Sequence, residues 1–328
     1  MDNFTHSLAG WALGQTGLKK KSRKGLAALI LGANAPDIDV FFFWVPWAPL
    51  STHRGVTHSL VGGWLVLPLG LAALLWLFDR WQVKRGAAFR SGLEMNFGWL
   101  LTLAYLGCLT HPLLDWQTSY AVQLFSPFAD LWFHNSSLFI IDVWVWSGMA
   151  FAIWLSRRRE KQGGNWRKPA IVASAALVLY ISANGVVSEF ARRAPIVGAP
   201  HAKPDTVVVS PPPALFWRRE VVWRQDNMIG RGEYDPFRSL SMLQTIEPAQ
   251  PDGMLDPAAQ EGLRSDPSAV RFGRWSILPT AIVTREPCKV TIMYQDARYS
   301  SRSNRGPMSQ TVTLPTDAPG CEAAKQES

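Results

Sequence analysis

Between Asn34 and Ser59 the chain reads NAPDIDVFFFWVPWAPLSTHRGVTHS, placing two carboxylates (Asp37, Asp39) and two imidazoles (His53, His58) in otherwise apolar sequence. Carboxylate oxygen and neutral imidazole nitrogen are the usual ligands of zinc and its divalent neighbours. Ionised groups beside Phe41, Phe42, Phe43 and Trp44 are costly to desolvate unless something binds them, so this stretch points to a metal site at the edge of a membrane. Arg54, next to Gly55, suits a phosphate or carboxylate group of a substrate. Farther on, His111 and Asp115 in HPLLD are spaced i, i+4, share one helix face and can share an ion. Asp37 and Asp39 fall about 200° apart on a straight helix, which a kink at Pro36 relieves. Singly, each feature has an ordinary reading: a capping Asp, a solvated loop His, a satisfied His6.

The elements that must position these groups are mostly apolar. Residues 4–18 read as a short helix with small residues that allow close packing, and residues 25–44 as a second apolar stretch kinked or ended at Pro36. Pro46, Pro49 and Gly55 make 45–59 a loop. Ser59 to Phe78, Phe97 to Leu114, Leu138 to Leu155 and Pro169 to Val187 are each about long enough to cross a bilayer. Pro112 predicts a break in the helix that carries His111. The expected fold is an all-α polytopic membrane domain of about six membrane-associated helices over 1–190. A Pro-rich linker follows over 191–213, then a small β-rich extracytoplasmic domain over 214–316 and a flexible tail over 317–328. Within that domain the strand-like runs are Ala214–Trp223, Trp275–Thr284 and Val290–Tyr294.

The formal charge of +8 invites a nucleic-acid reading, but the basic residues form no single patch. Loops 19–24, 80–90 and 157–168 carry five, four and six Lys or Arg, whereas 45–59 and 115–136 carry only Arg54. That asymmetry places the basic loops in the cytoplasm and the C-terminal region outside it, with no nucleic-acid partner expected. On this topology His6, Asp37, Asp39, His53, His58, His111 and Asp115 all fall at the outer face, as does Asp142, although the loops were counted without reference to the ligands. Sixteen Trp fit a membrane–water interface. Of three Cys, Cys108 reads as a small core residue, and Cys288 and Cys321 can pair if their region lies outside the cytoplasm. His134 and His201 read as surface histidines.

THSLAGWALG at 5–14, LGANAPDIDVFFF at 31–43, HRGVTHS at 53–59, HPLLDWQTSYAVQLFSPFAD at 111–130 and FIID at 139–142 together resemble the YdjM-type family. These are bacterial inner-membrane proteins described as metal-dependent hydrolases, some under LexA control. The resemblance spans about residues 1–190 and implies the ligand set His6, Asp37, Asp39, His53, His58, His111 and Asp115, with Thr118, Asp130 and Asp142 as supporting residues. The family is distantly similar to zinc-dependent phospholipase C and single-strand nucleases, which implies phosphodiester chemistry. The expected activity is hydrolysis by water activated on Zn²⁺ (or Mn²⁺), with Asp37 or Asp39 as general base and Arg54 stabilising developing negative charge. A phospholipid or lipid-linked phosphate at the outer bilayer surface is the expected substrate class. The rival reading is a non-catalytic metal-binding membrane protein: a sensor, scaffold or transporter. A transporter would carry its polar groups across the bilayer, whereas these stop at one face.

Overall fold

The computed structural model describes residues 1–42, 53–195, 204–240, 243–300, 308–315 and 321. The expected breakers Pro46 and Pro49, the aromatic pair Phe43 and Trp44, His201 and most of the expected tail lie outside the described residues. Contacts divide the chain into two units, Met1–Ser188 with Pro211–Phe216, and Glu189–Ser210 with Trp217–Ser328.

The first unit is helical. Helix α1 (Asn3–Gln15) starts where the Asp2 carboxylate accepts the amides of Phe4 and Thr5. Helix α2 (Gly25–Asn34) ends before Pro36 and gives way to a 3₁₀ stretch, Ala35–Phe42, where Pro36 has no backbone N–H to continue the α-helical ladder. A π-helical turn at Gly62–Val66 leads into α3 (Leu67–Lys84), so residues 62–84 are continuously helical. Helix α4 (Phe97–Asp115) is capped by Asn96. The break expected at Pro112 does not occur: the helix runs on to Asp115, since so close to its end the proline removes a single backbone hydrogen bond. Helix α5 (Val143–Lys161) is capped by Asp142, and α6 (Arg167–Arg193) follows.

Among the described residues three helical stretches are long and apolar enough to cross a membrane: Gly62–Lys84, Phe97–Asp115 and Arg167–Arg193. The span expected over Leu138–Leu155 instead starts at Val143 and runs into Arg157, Arg158, Arg159 and Lys161, and these cations keep it out of that set of three.

Helices α1, α2 and α4 pack closely around buried Ala28, Leu29, Leu100, Leu103 and Ala104. Backbones nearly touch, because a Cβ on Gly10 or Gly107 would lie 2.5 or 2.6 Å from the Leu29 carbonyl oxygen. Buried Asp79 of α3 is matched by Arg23 through two 2.7 Å hydrogen bonds.

The second unit holds two antiparallel sheets. One is a meander of β1 (Thr206–Ser210), β2 (Arg219–Gln225), β3 (Met228–Tyr234) and β4 (Gln244–Pro251). The other is formed by β5 (Pro279–Glu286), β6 (Lys289–Asp296) and β7 (Ser309–Pro315). Val208 pairs with Val222 and Ile292 with Val312, which puts apolar side chains into the core. Between the sheets in sequence lie helices α7 (Pro257–Ser265) and α8 (Pro267–Trp275). Strand β1 falls inside the stretch expected to be a linker, and residues 211–216 group with the helical unit. Trp275, expected to open a strand, ends α8 and is fully buried; the strand begins at Pro279. Cys288 and Cys321 form a disulfide, and Cys108 is buried.

Candidate metal centre

Four separate segments bring the acids and imidazoles together. The capped first turns of α1 present His6, and the 3₁₀ stretch after α2 presents Asp37 and Asp39. The turn before α3 carries His53 and His58, and the last turns of α4 carry His111 and Asp115 on one face. Asp37, Asp39 and His53 form one group able to hold an ion, Asp37, His58 and His111 a second, and His6, His111 and Asp115 a third. The groups share Asp37 and His111, so all seven residues named from the sequence lie in one connected cluster.

The central geometry is specific. His58 Nε2 and His111 Nε2 lie 3.0 Å apart. Asp37 Oδ1 is 3.3 Å from each of them, and Asp115 Oδ2 is 3.4 and 3.5 Å from them. Ligands about 2.0–2.1 Å from a tetrahedral zinc stand about 3.3–3.4 Å apart, close to the spacing of Asp37, His58 and His111.

The second ring nitrogens decide what the converging ones are. His111 Nδ1 lies 2.7 Å from the Ala33 carbonyl oxygen, which can only accept, so this nitrogen carries the hydrogen and Nε2 presents a lone pair. Thr57 Oγ1 donates to Asp39 Oδ2 at 2.9 Å and lies 3.0 Å from His58 Nδ1, an arrangement that assigns the His58 hydrogen to Nδ1 in the same way. Two lone pairs and two carboxylate oxygens thus face one another, a repulsive set that a cation relieves. Neither nitrogen of the buried His6 ring has a hydrogen-bond partner, and its Nε2 lies 3.4 Å from Asp115 Oδ1. Orphaned buried nitrogen beside a carboxylate fits a metal ligand better than a core histidine. Burial holds the His58 imidazole down, to a pKa of about 3, so it stays neutral and ligand-ready.

Depth varies across the cluster. His6, His58, His111 and Asp115 are fully buried, whereas the Asp39 and His53 side chains keep 14 and 17 % exposure and form a rim. Asp39 Oδ1 lies 3.0 Å from His53 Nδ1.

Arg54, expected to meet a phosphate or carboxylate group of a substrate and to stabilise developing negative charge, is 2 % exposed and turns inward. Its Nε lies 3.0 Å from Asp115 Oδ2, an Nη donates to Thr118 Oγ1 at 3.1 Å, and the guanidinium covers the Tyr120 ring. A loop cation so close to a buried carboxylate is drawn in by it. Thr118 supports the cluster through Arg54, as a supporting residue should. Asp142 is occupied in capping α5 and accepts from the Tyr180 hydroxyl at 3.2 Å, and Asp130 is exposed. His134, expected at the surface, is half-buried beside Ser136.

Sequence reading missed the Ala33 carbonyl, Thr57 and the Met1 amino group, which is buried in an ion pair with Asp115. Only Thr57 left a signal, as part of the Thr-His-Ser tripeptide that occurs at 5–7 and again at 57–59.

A family model described as YdjM inner membrane protein matches residues 1–191. No curated protein and no solved structure matches the chain.

Proposed function

The chain belongs to the YdjM inner membrane protein family, and from that premise we propose that it is a membrane-bound, metal-dependent hydrolase. Its substrate is a phosphodiester or lipid-type ester at the outer face of the bacterial inner membrane. The observation that carries this reading is the convergence of His58 Nε2 and His111 Nε2, 3.0 Å apart, with Asp37 Oδ1 and Asp115 Oδ2 each within 3.3–3.5 Å of both. His6, with its Nε2 3.4 Å from Asp115 Oδ1, extends the donor set.

A bound divalent ion, zinc by preference and manganese as the alternative, polarises an ester and makes water more acidic at neutral pH. The protein's own groups do the rest. Ala33 and Thr57 hold the two central imidazoles with their lone pairs inward. At the rim Asp39 orients His53, and this pair takes the proton of the attacking water. Arg54 holds Asp115 in place, a positioning role rather than a contact with substrate.

Topology supports the outer-face placement. The basic loops 19–24, 80–90 and 157–168 lie in the cytoplasm, six membrane-associated helical segments pack between the faces, and the strand-rich unit is extracytoplasmic. The Cys288–Cys321 disulfide suits an oxidising compartment. The partners are the bilayer and an amphiphilic, phosphate-containing substrate, with no role for nucleic acid.

Asp37→Ala and His58→Ala test the proposal in detergent-purified protein. Each is expected to lose at least one equivalent of bound metal and at least a hundredfold of activity toward a panel of phosphodiesters and phospholipids, the scale seen when electrostatic stabilisation is removed. Full metal content and full activity in both variants overturn it. The full burial of His58, His111 and Asp115 favours a second reading, a closed site in a non-catalytic metal-binding protein. Metal bound by the wild type without turnover of any substrate in the panel decides for that reading.

A further inference from the structure

Helices α1, α2 and α4 carry the metal-site residues at or just beyond one end, and at their other ends the chain forms a second chemical feature. A cleft of about 480 Å³ is lined there by Lys19, Lys20, Arg23, Lys24, Ser91 and Glu160, with the first turn of α2 as its floor. The Ser22 hydroxyl, the Asn96 backbone and the Arg23 amide bonded to Glu94 tie the start of α2 to the start of α4, so the cleft is built by fixed backbone. At 1.5 Å per residue, the ten residues of α2 set the cleft floor about 15 Å from the stretch that carries Asp37 and Asp39.

Its charges do not cancel. Arg23 is matched by Asp79. Lys19 and Lys20 share one carboxylate, Glu160, which pairs with Lys19 and lies 4.0 Å from Lys20. Lys24 donates to neutral Gln82. Lys24 also precedes α2 in the left-handed region (φ 66°), and no side chain caps the helix start, so the positive end of the α2 dipole lies at the same cleft. The setting is interfacial: Lys19 and Lys20 sit 4.6 and 5.0 Å over the Trp166 ring, and Lys21 sits 4.8 Å over Trp99.

We propose that this cleft binds the phosphate headgroup of an anionic membrane lipid on the face of the membrane opposite the metal centre. Lys20 and Lys24 supply the uncompensated charge, and the indole rings of Trp166 and Trp99 mark the headgroup level. Basic pockets between helices on the cytoplasmic side are suited to such headgroups. The site is independent of the hydrolase reading, since no residue of the metal cluster lines it.

Native mass spectrometry of the full chain in a neutral detergent tests the site, with dioctanoyl phosphatidylglycerol, dioctanoyl phosphatidylcholine and glycerol 1-phosphate titrated separately. Phosphatidylglycerol is expected to bind at least tenfold more tightly than either of the others. The double variant K20Q/K24N, in which asparagine tolerates the left-handed backbone, is expected to lose phosphatidylglycerol affinity by roughly thirtyfold, about one lysine's worth of surface attraction at each position. K84Q/R85Q, outside the cleft, should bind as the wild type does. Should the double variant fail to fold, Lys20→Glu alone carries the test, because its side chain is half exposed. Equal affinity for the two lipids, unchanged binding by the cleft variant, or an equal loss in the control overturns the proposal. Glycerol phosphate binding as tightly as the lipid also overturns it, by assigning the cleft to a soluble phosphate compound.

Discussion

Asp115 is the most heavily contacted acid of the cluster, lying close to His6, His58, His111, Arg54 and the Met1 amine. It is fully buried, so its charge needs every one of these partners. Arg54→Ala should therefore destabilise the metal-free protein by about 3–5 kcal/mol, the cost of leaving a buried charge unpaired. Chemical denaturation in detergent measures it, and a change below about 1 kcal/mol would show that Arg54 is dispensable to Asp115. A second effect concerns protons. Burial lowers the folded pKa of His58 to about 3, below the ordinary imidazole value of 6.5. Between these values the unfolded chain binds the proton and the folded one does not, so stability rises with pH across the window. Chelator-treated protein should therefore lose stability as pH falls from about 6.5 toward 3, with a limiting slope of about 1.4 kcal/mol per pH unit from this group. Thermal melting that is flat over pH 4–7 contradicts this assignment.

At the scale of elements, the site depends on how closely α2 and α4 approach. Gly107 stands one turn before His111, and a Cβ there would meet the Leu29 carbonyl oxygen at 2.6 Å and the Ala28 carbonyl oxygen at 3.1 Å. Backbone atoms cannot step aside as a side chain end can, so Gly107→Ala must spread the helices and draw His111 away from Asp37. It should cost about 1–3 kcal/mol and lower the metal content, without touching a ligand. Gly148 in α5 is the control: nothing lies within 4 Å of a Cβ there, so Gly148→Ala should be neutral or stabilising by up to about 1 kcal/mol through helix propensity. Equal effects of the two substitutions on melting temperature and bound metal would rule out close packing as the cause. Elements also explain some misread boundaries. Asp256-Pro257 and Asp266-Pro267 each place a capping carboxylate before a first-turn proline, and each opens a short helix where only irregular sequence was expected.

For the whole molecule, the two ends of the helical unit differ in chemistry. Buried acids and imidazoles gather at one end, and lysines gather around a cleft at the other. This polarity agrees with the distribution of Lys and Arg among the loops and leads to a topology experiment. A phosphatase reporter that folds only outside the cytoplasm should be active when fused after residue 240 and inactive when fused in the basic loop near residue 88. The reverse pattern would put the metal cluster on the cytoplasmic face and remove the outer-leaflet substrate from consideration.

Residue type and spacing alone determined the donor set, because ionisable groups in apolar sequence are expensive and each needs a reason to be there. They determined the helical character of residues 1–190, through apolar length, and cations in alternate loops supplied the expectation of sidedness that the reporter fusions test. Tertiary structure alone decided which nitrogen of each imidazole faces the cluster, since that follows from the Ala33 carbonyl and the Thr57 hydroxyl, one of them a backbone atom that every residue has. It also decided the place of Arg54: a guanidinium in a loop is as consistent with solvent as with burial until a buried Asp115 stands 3.0 Å away. The basic cleft became visible in the same way. Its lysines belong to one sequence run, but only the packing of α2 against α4, with Glu160 brought alongside, turns that run into a cavity with charge left over.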